Sequence, residues 1–302
     1  MLASIIIPTK NEAMNIGPCL DHVYGQRGDF PFEVVVIDSG SQDSTIDIVK
    51  QYPARLLQIA PGEFHHARTR NLGGRASAGE YLVFLSGDAI PADQGWLSAL
   101  LRNFQEPGVA AVYGRQLAKP DAKPERVFFM QHRYGTQRLV KSANGTHAEK
   151  YLLYQFSNVN AAIRKDVWEQ TPFPEDINAC EDFSFAMQVI KQGHRIVYEP
   201  DAAVFHSHNY SLMKSFQQYF DNGVVYQRRH VWDGQPGNRI RSDGLSYLRK
   251  EMTYLIERGH GHRVPYVLCY EAARYVGIAL GRHEHLLPRA FKQRASSHRL
   301  FG

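Results

Sequence analysis

Cysteine is scarce in this sequence, and the few cysteines present argue against disulfides and against a zinc site. Cys19, Cys180 and Cys269 are odd in number, far apart, and form no CxxC pair. Disulfide frameworks and cysteine zinc sites both depend on paired or closely spaced cysteines, so neither is predicted. A reducing compartment fits this usage best, and we therefore expect a cytoplasmic protein.

Long uninterrupted hydrophobic runs are also missing. Residues 1–8 are apolar, but they lack a basic flank and a small-residue cleavage site, which favours a buried strand over a signal peptide. The longest later apolar stretch, 264–280, is interrupted by Glu271 and Arg274. No transmembrane helix is predicted.

Three common catalytic and nucleotide-binding motifs are absent. The sequence contains no GxxxxGK[ST] P-loop, no GxSxG elbow, and no predicted strand followed by a GxGxxG turn. ATPase, hydrolase and dinucleotide-binding functions therefore lack the loop geometry that they require.

The formal net charge is +5, and the basic excess lies towards the C-terminus. Such a surface suits the phosphate of a lipid headgroup, a nucleotide or a nucleic acid, and it is equally consistent with a solvated face that binds nothing. With 43% hydrophobic and 22% charged residues, the composition is that of a globular protein.

The first part of the chain alternates short β-branched runs with helical patterns. Strands are predicted at 4–7, 33–37, 55–59 and 81–85, with helices at 12–24, 43–52 and 65–78. This alternation is typical of a parallel sheet with helices on its faces. Residues 115–150 are irregular and polar, which predicts a mobile flap or acceptor loop.

Regular patterns return in the second half of the chain. Order resumes at 156–164, a helix is predicted at 181–192, and two short strands are predicted at 195–198 and 203–206. Beyond residue 210 only helices are predicted, at 212–230, 245–258, 264–280 and 286–295.

Polar motifs follow three of the predicted strands where each strand ends. They are Pro8-Thr9-Lys10-Asn11-Glu12, Asp38-Ser39-Gly40-Ser41 and Ser86-Gly87-Asp88. Ligands of parallel α/β sheets bind at the carboxyl ends of the strands, so these motifs predict a binding crevice at that edge.

Asp88 is a candidate metal ligand. A hard carboxylate oxygen at this turn suits Mg²⁺ or Mn²⁺ bridging the phosphates of a nucleotide. His206 and His208 are two residues apart, and on an extended segment both imidazoles point to one side, where they are able to complete the metal shell. An acid in a strand-end turn and a structural pair of histidines are the simpler alternatives.

Two further sets of polar residues carry candidate roles. Glu181 and Asp182 open the predicted helix at 181–192, and a carboxylate there is able to accept a proton from an acceptor hydroxyl or simply to cap the helix. Asp38 is able to accept the N–H of a pyrimidine base or to cap the next helix. Arg70 is either a phosphate ligand or a surface arginine.

Taken together, these motifs resemble the family 2 glycosyltransferases and, within them, the bacterial rhamnosyltransferases. The resemblance runs from residue 4 to about residue 210, with weaker similarity around 277–288. It is carried, in order, by the segments SIIIPTKNE, VVVIDSGSQDST, FHHARTRN, GEYLVFLSGDAIP, SNVNAAIRKDVWE, ACEDFSF and VFHSHNYS. This number of motifs in a fixed order is far more specific than any one of them.

The resemblance implies the GT-A fold, an α/β architecture in which a Rossmann-like, mostly parallel sheet carries helices on both faces. It also implies a glycosyltransferase domain at 1–210 and a C-terminal helical region at 211–302. That helical region is a candidate for contact with an anionic membrane or for homodimer formation.

The resemblance also assigns site residues. The residues implied at the nucleoside and phosphates are Pro8, Thr9, Glu12, Asp38, Ser39, Arg70, Gly87 and Asp88. Asp88 is implied as the ligand of a divalent cation, Mn²⁺ or Mg²⁺. Gly87 stands where the family usually has an acid, which leaves the metal shell incomplete for His206 or His208 to fill. Asp182 matches the general base of the family's ED motif, and Glu181 orients it.

The reaction implied is an inverting displacement at the anomeric carbon of a nucleotide sugar. GDAIP and HSH are similar to the corresponding segments of enzymes that use dTDP-L-rhamnose, and UDP- and GDP-sugars stay as alternatives. The acceptor implied is a cell-surface glycan or its lipid-linked precursor, not a nucleic acid. The protein is then expected in the cytoplasm, either free or peripheral on the cytoplasmic face of the inner membrane.

Two rival functions belong to other classes. A sugar nucleotidyltransferase usually has a glycine-rich, basic first loop, whereas this first loop begins Pro8-Thr9-Lys10. A non-catalytic basic binder of membranes or nucleic acid predicts no loss of function when Asp182 becomes Asn.

Overall fold

The computed structural model describes residues 2–144, 150–231, 237–298 and 300–301. The chain forms two compact units. The first unit consists of Met1–Lys119, Tyr134–Asp176 and Glu181–His206, and the second of Pro120–Arg133, Ile177–Cys180 and Ser207–Gly302. The division into functional domains at 1–210 and 211–302 stays a prediction.

The strands and helices are named here in chain order. The first part of the chain contains β1 (Ala3–Thr9), α1 (Ile16–Tyr24), β2 (Phe32–Asp38), α2 (Thr45–Val49), β3 (Arg55–Gln58), α3 (His66–Ala76), β4 (Tyr81–Leu85), β5 (Ile90–Pro91), α4 (Trp96–Leu101), β6 (Val109–Leu117) and α5 (Pro124–Arg133). The remainder contains β7 (Leu139–Lys141), α6 (Lys150–Leu153), β8 (Asn160–Arg164), α7 (Lys165–Gln170), α8 (Glu181–Lys191), β9 (Arg195–Phe205), α9 (Leu212–Arg228), α10 (Gly237–Glu257), α11 (Val264–Arg282) and α12 (Arg289–Ala295).

Within the described residues, the strands of the first unit form one sheet of nine strands. Its order is β3-β2-β1-β4-β8-β6-β9-β5, and β7 pairs with β9. The four strands from β3 to β4 are parallel, β8 is antiparallel to both of its neighbours, and β6 and β9 are again parallel. The predicted α/β fold with a largely parallel sheet is confirmed, and the parallel half places three strand ends at one edge.

Both faces of the parallel half are covered, which explains the nearly continuous apolar strands. On one face, Ile5 and Val36 join a buried cluster with Leu20 of α1 and Trp96 of α4. On the other face α3 approaches so closely that a Cβ at Gly73 would lie 2.4 Å from Ile6 Cγ2. This close approach holds α3 against the sheet beside the strand ends.

An aromatic cluster connects α8 to the same sheet. Phe84 of β4 lies 5.1 Å from Phe173, ring centre to ring centre, and Phe173 lies 5.2 Å from Phe185 of α8. All three rings are buried. Burial of large aromatic side chains contributes strongly to packing, so this cluster fixes the start of α8 relative to β4.

The flap predicted at 115–150 contains regular structure, which corrects that prediction. β6 continues to Leu117, and α5 and β7 follow within the segment. Residues 145–149 of the predicted flap lie outside the described part of the chain. Likewise, the two strands predicted at 195–198 and 203–206 are one continuous strand, β9.

The helices α9 and α11 of the second unit are in backbone contact. A Cβ at Gly281 would lie 2.1 Å from the carbonyl oxygen of Phe220, and one at Gly223 would lie 2.4 Å from that of Ile278. Only glycine permits so short an approach, so these residues set the spacing of the pair. Among the described residues, no helix combines the length and apolar composition that crossing a membrane requires.

Candidate active site

The loops after β2 and β4 are both hydrogen-bonded to the carboxyl end of β1. The Ser39 N–H and hydroxyl each donate to the Thr9 carbonyl at 3.1 Å, and the Gly87 N–H donates to the Pro8 carbonyl at 3.3 Å. The predicted crevice residues Pro8, Thr9, Ser39 and Gly87 therefore lie together at the carboxyl edge of the sheet.

Asp38 organises the second of these loops. Its Oδ1 accepts the N–H groups of Gly40 and Ser41 at 2.9 Å each, and its Oδ2 accepts the Ser41 hydroxyl. The side chain is fully buried. Asp38 therefore holds the turn that follows β2, and its predicted contact with a base stays a prediction.

Glu12 joins the loop after β1 to the first residue of α2. Its backbone N–H donates to Thr45 Oγ1 at 2.7 Å, and its carboxylate accepts from Asn15 at 2.6 Å. Burial, together with the nearby Asp88 carboxylate, raises the pKa of Glu12 against the effect of the Asn15 bond. Glu12 thus lies within electrostatic reach of the candidate metal ligand.

The structure explains why residue 87 is glycine in this chain. A Cβ at that position would lie 2.9 Å from Thr9 Oγ1 and 3.2 Å from Thr9 Cβ. Thr9 Oγ1 is itself buried and has no hydrogen-bond partner in the described part of the chain. A second acid at residue 87 would therefore crowd Thr9.

Asp88 and His206 supply a pair of potential metal ligands in the first unit. The Asp88 Oδ2 lies 3.6 Å from His206 Nε2 and 3.5 Å from the Lys119 ammonium. Both Asp88 and His206 are buried, and each offers a ligand atom within 4.8 Å of the other's. A carboxylate oxygen and an imidazole nitrogen at this separation fit Mn²⁺ or a similar cation.

His208 lies two residues beyond His206, at the beginning of the second unit. Its ring stacks on that of Tyr210, with centroids 5.0 Å apart. Its predicted role as a metal ligand stays a prediction.

Glu181, at the start of α8, lies in a buried ion pair. Its Oε1 lies 3.2 Å from Arg70 Nη1 and accepts the Asn158 amide at 3.1 Å. Burial alone would raise the pKa of Glu181, but Arg70, His66 and the Asn158 bond hold it below its usual value. Arg70, predicted at the diphosphate, thus contacts Glu181, and its role at phosphate stays a prediction.

Asp182 is the neighbouring carboxylate, and its pKa is shifted in the opposite direction from that of Glu181. It is half-buried, and burial together with the adjacent Glu181 carboxylate raises its pKa to about 7. A carboxylate whose pKa lies near neutrality is suited to accept a proton and to release it again. The two acids therefore differ in kind, since Glu181 is held ionised and Asp182 is poised to titrate.

One short segment, 157–159, contacts residues beside the candidate metal ligands and also the pair of acids at the start of α8. Ser157 Oγ accepts the Gln116 amide, and Gln116 contacts His206. Asn158 donates to Glu181, and the Val159 carbonyl accepts the Ser86 N–H, two residues before Asp88, at 3.1 Å. The candidate metal ligands and the candidate base are therefore positioned by the same stretch of chain.

Four residues of this arrangement were not predicted from the sequence. They are Gln116, Lys119, Ser157 and Asn158. Gln116 and Lys119 fall in the segment that was predicted to be a flap, and so were not considered. Ser157 and Asn158 stand in the SNVN motif, whose polar residues before a buried strand were the available signal.

Comparisons with known proteins identify the family of this chain. The family model described as glycosyl transferase family 2 matches residues 4–171. The chain is 33% identical to the O-antigen chain rhamnosyltransferase WbaN of Salmonella anatum, covering 94% of this chain and 90% of that protein. It is 32% identical to RfbN of Salmonella typhimurium, of the same description, covering 95% of this chain and 92% of that protein.

Solved structures share the fold at lower identity. The mannosyltransferase PcManGT of Pyrobaculum calidifontis, in complex with GDP-Man and Mn²⁺, is 21% identical with a TM-score of 0.57, covering 97% of this chain and 83% of that one. TarS 1-349 of S. aureus in complex with UDP is 18% identical with a TM-score of 0.54, covering 94% and 91%. The chain belongs to glycosyl transferase family 2 and is a glycosyltransferase with the GT-A fold.

Proposed function

We propose that this glycosyltransferase transfers L-rhamnose from dTDP-L-rhamnose to a hydroxyl of a cell-surface glycan or its lipid-linked precursor, with inversion at the anomeric carbon. The rhamnosyl specificity is supported by two relatives described as O-antigen chain rhamnosyltransferases, each covered over at least 90% of its length. The observation that carries the chemistry is the pair of unlike carboxylates, Glu181 and Asp182, connected through 157–159 to Asp88 and His206.

Asp182 is the proposed general base. Its raised pKa allows it to take the proton of the acceptor hydroxyl as that oxygen attacks the anomeric carbon. Glu181 stays ionised beside Arg70, so it does not compete for that proton and instead raises the basicity of its neighbour. Asn158 fixes Glu181, which keeps the pair in one geometry.

Asp88 and His206 are the proposed ligands of a divalent cation, Mn²⁺ or Mg²⁺, and His208 is proposed as a third. The donor set supports this, because a buried carboxylate and a buried imidazole nitrogen face each other at 3.6 Å. When bound, such a cation stabilises the charge that develops on the departing nucleoside diphosphate. Imidazole ligands favour Mn²⁺ over Mg²⁺.

Thr9 and Lys119 are proposed to contact the bound nucleotide. The buried Thr9 Oγ1, which lacks a partner among the described residues, is available to hydrogen-bond to a ligand at the strand ends. Lys119 lies against Asp88 and is a cation suited to phosphate oxygens. Asp38 and Ser39 shape the loop in which the nucleoside is proposed to lie.

The second unit is proposed to bind to the surface of an anionic membrane that carries a lipid-linked acceptor. By sequence this unit contains 18 Lys and Arg against 9 Asp and Glu, a formal charge of +9. Basic surfaces of this kind are attracted to anionic lipid headgroups. Homodimer formation and a cytoplasmic location stay predictions.

The donor proposal is tested by thermal shift. We expect dTDP with Mn²⁺ to raise the melting temperature more than UDP or GDP with Mn²⁺, because at equal concentration the nucleotide with the lowest Kd stabilises the folded state most. A ligand at about 100 times its Kd stabilises that state by about 2.7 kcal/mol. AMP with Mn²⁺ serves as a control nucleotide and should have no effect. If GDP alone stabilises the protein, the rhamnose proposal fails and a GDP-sugar takes its place.

The raised pKa of Asp182 predicts a specific pH dependence of transfer. We expect kcat/KM to fall about tenfold per pH unit below about 7, because the protonated carboxyl no longer accepts a proton. In Glu181→Gln the neighbouring charge is lost, the pKa of Asp182 falls, and the midpoint of the profile should move to lower pH. A wild-type midpoint near pH 4, or a profile that Glu181→Gln leaves in place, would contradict the assignment.

A further inference from the structure

His206 makes two directional contacts, one through each ring nitrogen. Its Nδ1 lies 2.9 Å from Gln116 Oε1, and its Nε2 lies 3.6 Å from Asp88 Oδ2. Gln116 and His206 are both buried. Because each nitrogen faces a different partner, the tautomer of the ring decides whether a lone pair or a proton faces Asp88.

The orientation of the Gln116 amide selects between these tautomers. Gln116 Nε2 donates to Ser157 Oγ at 2.9 Å, which directs the carbonyl oxygen Oε1 at His206. An amide oxygen only accepts, so Nδ1 must carry the ring proton in the neutral imidazole. The Nε2 lone pair then points towards the Asp88 carboxylate, as a metal ligand requires.

The sheet register places Gln116 at this position. β6 and β9 are paired in parallel, with a register shift between Gly114 and Gln116, after which Gln116 is opposite Val204. A Cβ at Gly114 would lie 2.0 Å from the Ala202 carbonyl oxygen, so only glycine permits the irregularity. The His206 N–H donates to the Leu117 carbonyl at 2.9 Å, which extends the pairing to the histidine itself.

We infer that Gln116 is a positioning residue, which fixes the tautomer and ring orientation of His206 so that Nε2 is presented to a divalent cation at Asp88. This inference rests on the proposed function, because it assumes that His206 binds the metal. A ligating histidine commonly donates its second N–H to an outer partner, and losing that partner weakens metal affinity by about 10- to 100-fold. A glutamine oriented by a serine serves here as that partner.

The test uses the full-length chain and Mn²⁺ alone, with free Mn²⁺ followed by electron paramagnetic resonance. Gln116→Met keeps the length of the side chain but removes the acceptor, and we expect the Kd for Mn²⁺ to rise by about 10- to 100-fold. Gln116→Glu keeps an acceptor oxygen for Nδ1, and its Kd should stay within about threefold of wild type. Gln188→Met, the same change on α8, is the control for the substitution itself.

His206→Ala separates failure of the inference from failure of the proposed function. If wild type binds no Mn²⁺, or if His206→Ala binds it as wild type does, the proposed metal site fails and the inference falls with it. If His206→Ala weakens binding but Gln116→Met does not, only the inference is overturned. Equal losses in Gln116→Met and Gln116→Glu would also overturn it, because the acceptor oxygen would then be irrelevant.

A spectroscopic readout reports the tautomer directly. In metal-free protein labelled with ¹⁵N-histidine, at an alkaline pH where the imidazole is neutral, we expect His206 to show the Nδ1–H tautomer in wild type and a mixture of tautomers in Gln116→Met. A merely structural role for Gln116 would leave the tautomer unchanged, and that result would overturn the inference. Should Gln116→Met fail to fold, Gln116→Leu removes the same acceptor oxygen, and an unchanged tautomer in that variant would equally overturn the inference.

Discussion

Replacement of Asp182 with Asn is expected to slow sugar transfer by about 10²–10⁴-fold, the usual contribution of a general base. The amide has the size of the carboxyl but does not accept the proton of the acceptor hydroxyl. Glu181 keeps its contacts with Arg70 and Asn158 in this variant, so the start of α8 should stay in place. Incorporation of labelled rhamnose from dTDP-L-rhamnose into a lipid-linked glycan measures the effect.

Nucleotide binding distinguishes loss of the base from loss of the fold. We expect the Kd for dTDP, measured by calorimetry with Mn²⁺, to change by less than about threefold in Asp182→Asn, because the loss concerns the reaction step. Asp166→Asn is a matched control, since Asp166 is an acid of the same unit that lies in an exposed ion pair with Arg164. Transfer above about a tenth of the wild-type rate in Asp182→Asn would exclude Asp182 as the base.

The strand ends that form the site were predictable because their signals are local. β1, β2 and β4 are short β-branched or aromatic runs bounded by polar loops, and burial on both faces makes such runs nearly continuous. The predicted strand at 81–85 agrees with β4 in both of its ends. Local patterns therefore place Asp38 and Asp88 at one edge.

β6 was missed because its stability comes from distant partners. Its sequence, VAAVYGRQL, contains two alanines, a glycine and the polar pair Arg115-Gln116, which weaken its intrinsic strand preference. In the structure β6 is paired with β8 and β9 on its two sides, and its first six residues are buried. Pairing between segments so far apart in the chain has no signature in a single sequence, and the contact of Gln116 with His206 depends on it.

The continuity of β9 was missed for a related reason. Glu199-Pro200-Asp201 has the composition of a turn, which led to the prediction of two separate strands. Pro200 is tolerated because the pairing with β6 changes register in this region, opposite Gly114. A proline inside a strand thus accompanies the change of register between β6 and β9. The same change of register places Gln116 beside the candidate metal ligands.

Replacement of Asp88 with Ala is expected to abolish the dependence of nucleotide binding on Mn²⁺ and to slow transfer by about 10³-fold, since a catalytic metal contributes several kcal/mol. With Gly87 in place of a second acid, Asp88 is the carboxylate that faces His206 in this turn. The measurements are the thermal shift with dTDP, with and without Mn²⁺, and the transfer rate. Asp93→Ala is the matched control, because Asp93 is an exposed acid whose side chain accepts a turn N–H from Gly95.

Lys119→Met distinguishes metal binding from a simple ion pair at the same carboxylate. Asp88 Oδ2 lies 3.5 Å from the Lys119 ammonium, so Asp88→Ala removes this ion pair as well as the candidate metal ligand. If the ion pair were the whole function of Asp88, Lys119→Met would reproduce the loss of Mn²⁺ dependence. We expect instead that Lys119→Met binds Mn²⁺ at least as tightly as wild type, because removing a neighbouring cation lowers the electrostatic cost of placing another beside Asp88.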